Sequence, residues 1–132
     1  MPGVLGVPGR TRAVAWVADY ERAWRRAGTD SLDGLFTPDA TYSQGPYEET
    51  VTGLPAIARM WETEREDPDE VFSMTSDIVA VEADTAIVRA EVKYGSPIRQ
   101  EYRDLWIIRF ASDGRCQSFE EWPFWPERPP KA

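Results

Sequence analysis

The chain has 132 residues, a formal net charge of -8, one Cys and no His. That length suits a single domain with a core of its own, and the acidic balance, with no segregated basic patch, argues against nucleic acid as a partner. Without His, Ser-His-Asp and Cys-His catalysis are excluded; one Cys excludes an intrachain disulfide and leaves no basis for a zinc site.

Residues 1–10 lack the basic start and apolar run of a secretory signal, and no apolar stretch approaches the ~20 residues of a membrane span. They are expected to be a mobile tail, followed by one domain over 11–126 and a second tail over 127–132. The expected setting is the cytoplasm, with no membrane partner. Thr11 is placed to cap a first helix whose stripe is Ala13, Trp16, Val17, Tyr20, Trp24 and Ala27, with Gly28 ending it. A second, short helix is expected from Asp30, with Asp33 at the capping-box position, Leu32, Leu35 and Phe36 facing inward and Pro38 stopping it.

Residues 40–44 read as a short strand, and 45–50, opening Gly-Pro and carrying two Glu, as a loop. Gly53 precedes a third helix with Pro55 in its first turn and Leu54, Ile57, Ala58 and Trp61 on one stripe, closed by Asp67-Pro68. From Val71 the hydrophobic period becomes two. Strands over 71–83, 86–94, 100–110 and 115–122 then make an antiparallel meander.

The last two of these form a hairpin around Ser112-Asp113-Gly114. Alternation puts Tyr102, Asp104, Trp106, Ile108 and Phe110 on one face of its first arm, and Glu121 on the face of Phe119 in its second. Near Pro123 and Pro126 that arm should end, bend or become an edge, because proline cannot donate to a central ladder. On the preceding strand Val88, Ala90 and Val92 share the inward face, which leaves Arg89 and Glu91 on the other.

The helix, helix, strand, helix, meander order resembles the SnoaL-like members of the nuclear transport factor 2-like superfamily. The residues that carry the resemblance are Tyr20, Gly34-Leu-Phe-Thr-Pro-Asp-Ala-Thr-Tyr42, Gly53-Leu-Pro-Ala-Ile57, Arg109-Phe-Ala-Ser-Asp-Gly-Arg115 and Phe119-Glu-Glu-Trp122. It implies an α+β cone: a curved antiparallel sheet wrapped around a pocket and covered by three helices. Similarity to ketosteroid isomerase places Tyr20 at the oxyanion-hole tyrosine, while the two aspartates of that enzyme fall near Gln44 and Trp106. Similarity to limonene-type epoxide hydrolases rests on Tyr42-x-Gln44, Arg89-x-Glu91 and Glu121, of which alternation turns Arg89 and Glu91 away from the pocket.

The candidate catalytic residues are therefore Glu121 and Asp104, acids on adjacent strands able to share a proton, with Tyr20 as a hydrogen-bond donor. Tyr42, Gln44, Tyr47, Trp61, Tyr102, Trp106 and Phe119 are the candidate substrate-binding residues. By the family resemblance, the expected activity is that of a cofactor-independent and metal-free isomerase, lyase or hydrolase on a polyketide-, terpenoid- or steroid-like molecule. A non-catalytic binding module or a dimeric interaction protein is the alternative. Six Trp and five Tyr in so short a chain ask for a cavity or a partner surface, with Trp122, Phe124 and Trp125 available to a homodimer interface or a lid.

Overall fold

The computed structural model describes residues 9–65 and 71–126. Three helices, α1 (Gly9–Arg25), α2 (Leu32–Leu35) and α3 (Leu54–Glu64), accompany six strands: β1 (Phe36–Ser43), β2 (Val51–Thr52), β3 (Phe72–Glu82), β4 (Thr85–Tyr94), β5 (Gln100–Phe110) and β6 (Cys116–Phe124). The strands form one sheet in the order β2-β1-β6-β5-β4-β3. All neighbours are antiparallel except β1 and β6, which run parallel, so the meander β3 to β6 is extended by a crossover into a mixed sheet. The arrangement is the expected α+β cone.

Three register irregularities interrupt the ladders, between Phe36 and Thr41, between Ile78 and Ala80, and between Arg109 and Phe110. A bulge inserts a residue and bends its strand, which is how an open sheet acquires curvature. In β3 the extra residue is Val79, and the Ile78 carbonyl beside it accepts a hydrogen bond from Arg10 Nη1 at 3.0 Å.

That contact holds the first described turn of α1 on the sheet, and the helix already includes Gly9, Arg10 and Thr11, ahead of the expected cap. Its first turn docks on β3, and a Cβ at position 9 would stand 2.5 Å from Val81 Cγ1, so only glycine fits without a shift. At the other end α1 stops at Arg25, before Gly28, and Ala23 is buried where Ala27 was expected. Arg65 accounts for this, its guanidinium donating to the carbonyls of Ala23, Trp24 and Gly28, the last at 2.7 Å. A side chain from α3 thus caps the helix in place of its own next turn.

The second helix is shorter than its sequence signals suggest. Ser31 takes the N-cap position without a side-chain cap bond, and Phe36 already opens β1. Pro38 lies inside that strand, within the span where the β1–β6 register shifts and a missing N–H interrupts no regular ladder. Phe36 keeps its inward place nevertheless, being fully buried. The helix α3 begins after Gly53 (φ 94°) with Pro55 in its first turn and ends at Glu64; the expected Asp67-Pro68 stop lies outside the described residues, as do residues 1–8 and 127–132.

The hairpin follows its sequence signals closely. Gly114 (φ 92°) donates to the Ala111 carbonyl at 3.0 Å, and Asp113 accepts from the Arg115 backbone at 3.0 Å and from its side chain at 2.9 Å. Those two donors hold the Asp113 carboxyl below its ordinary pKa. Pro123 sits beyond Glu120, the last residue of β6 with a partner on β1.

The loop from β4 to β5 depends on a second glycine. Gly95 has φ 97°, and a Cβ there would lie 2.8 Å from the Pro97 carbonyl oxygen. Gly95→Ala is accordingly expected to destabilise the protein by about 1–3 kcal/mol, read as a lower denaturation midpoint with an unchanged m-value.

The core lies between the inner face of the sheet and the helices. Trp16, Tyr20, Phe36, Tyr42, Trp61, Trp106 and Phe119 are all at least nine-tenths buried and form one network of rings. Trp16 is fixed further by its indole N–H, which donates to the Leu35 carbonyl at 2.9 Å. Among the described residues no helix is long and apolar enough to cross a membrane.

Candidate functional site

Beneath α1 and α3 the inner face of the sheet encloses a partly open cavity of about 400 Å³. Its walls come from every layer: Tyr20 and Trp24 of α1, Met60, Trp61 and Glu64 of α3, Tyr42 of β1, and Tyr102, Asp104, Trp106 and Glu121 of the hairpin. The cavity extends from the packed ring network toward the Tyr94–Gln100 end of the sheet. There Phe72, Tyr94, Arg99 and Gln100 line the cavity.

Alternation in β5 brings Asp104 inward, 5% exposed, between outward-facing Arg103 and Leu105. On β6 Glu121 lies directly opposite Trp106, and Pro123 directly opposite Asp104, so the two acids are diagonal neighbours on one face of an antiparallel pair. They hydrogen bond to each other, which two carboxylates can do only if one keeps a proton. Asp104 Oδ2 also accepts from Trp106 Nε1 at 3.4 Å, and Oδ1 is buried with no hydrogen-bond partner among the described residues.

The two acids are not equivalent. Burial raises the Asp104 pKa, while the bonds from Glu121 and Trp106 work the other way. Glu121 is pushed well above its ordinary value, first by desolvation, then by its bond to Asp104 and the charge of Asp104, with Glu64 adding to the repulsion. Both shifts favour the protonated form, so the pair holds at least one proton between its two carboxyls. The arrangement sets a proton donor on the wall of a site that water reaches from one side.

Two hydroxyls stand near. Tyr20 and Tyr42 are hydrogen bonded to each other at 3.1 Å, and both pKa values are raised well above 10 by burial, then by each other in Tyr20 and by Glu121 in Tyr42. Both remain protonated; one hydroxyl donates to the other, which leaves one O–H of the pair able to donate to a ligand. The Trp61 indole N–H lies near the Tyr42 hydroxyl and is buried without a hydrogen-bond partner among the described residues.

The structure therefore brings Tyr20, Tyr42, Gln44, Trp61, Tyr102, Trp106, Asp104 and Glu121 to one cavity. Phe119 lies behind it, 1% exposed and in ring contact with Tyr20, Tyr42 and Trp106, as part of the floor. Tyr47 must be corrected: it is 97% exposed. The Glu48 N–H to Gly45 carbonyl bond (3.1 Å) and the Ser43 hydroxyl to Gly45 carbonyl bond (2.8 Å) close a turn that carries it outward.

Arg89 and Glu91 occupy the outer face as alternation requires, Arg89 paired with Asp77 at 2.8 Å and Glu91 lying 3.8 Å from Arg103. Glu64 was overlooked in the sequence, although it continues the Ile57, Trp61 stripe by one further turn of α3. Cys116 is fully buried and its thiol is pushed up to about 12 by burial, which leaves it unreactive. Among the described residues no three His, Cys, Asp or Glu side chains are grouped to hold a metal.

Structural relatives share this architecture. SalBIII, an epoxide hydrolase/cyclase-like enzyme described in pyran ring formation in the polyether salinomycin, superposes with a TM-score of 0.72 at 14% identity, over 89% of this chain and 93% of that one. A steroid delta-isomerase from Pseudomonas aeruginosa gives 0.63 at 22% identity, over 95% and 85%. A protein with a cystatin-like fold from Caulobacter vibrioides gives 0.68 at 14%, over 91% and 92%. At these identities the likeness is one of fold. No protein of curated function matches the sequence. The family model described as a SnoaL-like domain matches residues 17–119, most of the chain, and with the cone and its place in the fold this establishes that the chain belongs to the SnoaL-like family.

Proposed function

We propose that the protein is a cofactor-independent acid-base enzyme, an isomerase, lyase or hydrolase of a small, largely apolar ring compound of polyketide, terpenoid or steroid type. The observation that carries this reading is the pair of unequal acids, Asp104 and Glu121, hydrogen bonded on one wall of an aromatic cavity. Glu121 delivers a proton to an oxygen or carbon of the substrate, and Asp104, ionised beside it, accepts one or stabilises the charge that develops. The Tyr20–Tyr42 pair donates its remaining O–H to substrate oxygen. Gln44, Trp61, Tyr102 and Trp106 shape the space around it.

The protein acts as a homodimer in this reading, supported by apolar groups on its outer surface: Leu105 is 37%, Phe124 56% and Trp125 50% exposed. A cytoplasmic setting accords with a buried free thiol.

The test is incubation of the purified protein with small ring ketones, epoxides and β-hydroxy ketones, products being resolved by chromatography and mass. Isomerisation, loss of water or gain of water is expected for at least one class. Tight binding across the series without any conversion would replace the enzyme with a non-catalytic binding module.

A further inference from the structure

We propose that the ligand of this cavity carries a protonated amine, seated against Asp104 and enclosed by aromatic rings. The inference deepens the acid-base reading of the same site and rests on its geometry, a buried Asp104 carboxyl whose Oδ1 lacks a partner on the wall of an aromatic cavity.

The argument begins with what a ligand displaces. Among the described residues neither Asp104 nor Glu121 has an ion pair, and the charge on a residue 5% exposed is held by the long Trp106 bond, the Glu121 proton and whatever water enters the cavity. A neutral apolar ligand expels that water and leaves the carboxylate with less compensation than before, at a cost that grows with the fit. An N–H donor with a positive charge removes the cost, because it brings both the counter-charge and a hydrogen bond for Oδ1.

The surrounding rings favour the same ligand. Tyr20 and Trp106 lie 4.7 Å apart by centroid and Tyr20 and Trp61 5.2 Å, and with Tyr94 and Tyr102 they line the space that a ligand beside Asp104 occupies. Aromatic faces attract cations, most strongly where water is excluded. The chain's own cations do not fill the role: Arg65 is turned onto the carbonyls at the end of α1, and neither it nor Arg99 is among the groups that shift Asp104 or Glu121. Glu64 at the rim adds a third acid facing the same space, and the net charge of -8 draws cations toward the protein as a whole.

The test compares 4-phenylbutylamine with 4-phenylbutan-1-ol, nearly isosteric and differing in charge only at the terminal group, which is cationic in the amine and neutral in the alcohol. Binding to the full chain is followed at pH 7 by quenching of tryptophan fluorescence and by calorimetry. The amine is expected to bind at least about tenfold more tightly than the alcohol. Asp104→Asn is expected to bring the two affinities together while the alcohol still binds. Equal affinities in the unaltered protein, tighter binding of the alcohol, or no binding of either at millimolar concentration would overturn the proposal. A raised Glu121 pKa measured alongside such a result would keep the acid pair and discard only the amine.

Discussion

Replacing Glu121 by Gln lowers turnover of a true substrate by about 10²–10⁴-fold, the range that a positioned proton donor contributes, with little change in KM. Gln keeps the shape and can still donate to Asp104, so the fold is retained while the transferable proton is lost. The same variant changes how stability depends on pH. Glu121 in the folded chain is pushed well above its ordinary value by desolvation and by Asp104, so between the unfolded and folded pKa values the folded state binds more protons. Its contribution to stability is full below the unfolded pKa and is lost as pH rises through the folded one. Asp104 is shifted in the same direction. Stability of the parent protein should therefore fall from mildly acidic pH toward neutrality, and Glu121→Gln should flatten that fall and stabilise the protein at the higher pH. Thermal denaturation at several pH values measures this, and a parent curve that rises through the same interval would contradict the assignment.

Phe119→Ala removes about 3–5 kcal/mol of folding stability, a large share of what a domain of this size has. Phe119 is 1% exposed and touches Trp16, Tyr20, Phe36, Tyr42 and Trp106 with ring centroids 4.6–6.4 Å away. Those neighbours belong to α1, β1 and β5, so the space left by its ring cannot close by moving one side chain. The loss reaches the site as well, since Tyr20, Tyr42 and Trp106 all rest on this ring. Equilibrium denaturation reads the stability change, and a cost below about 1 kcal/mol would mean that the neighbouring rings relax into the space as a liquid core would.

Where period-two alternation ran unbroken the sequence was a reliable guide to the site. Asp104 between Arg103 and Leu105, and Glu121 two residues beyond Phe119, needed only the pleat to be placed inward, and the same rule turned Arg89 and Glu91 outward. The hairpin turn was legible because Asp113 and Gly114 each have one conformational use there.

Other features depended on contacts distant in sequence. The docking of the first described turn of α1 follows from the β3 bulge, and the helix end at Arg25 from a side chain forty residues away. Pro38 was read as a helix stop, but the register shift in β1 gives it a place in a strand. Tyr47 had the composition of a cavity residue and was carried outward by a turn whose bonds run between Ser43, Gly45 and Glu48. The parallel pairing of β1 with β6, which closes the sheet beside Glu121, has no local signal at all.

The acid pair is tested most directly by carboxyl-carbon NMR titration of Asp104 and Glu121, assigned through Asp104→Asn and Glu121→Gln. Coupled titrations are expected, both displaced upward and Glu121 the higher of the two, with each resonance sensing the ionisation of the other. Two independent transitions near the ordinary values of about 4 would mean that the carboxyls are solvated and apart, and would remove the proton donor on which the proposed chemistry depends.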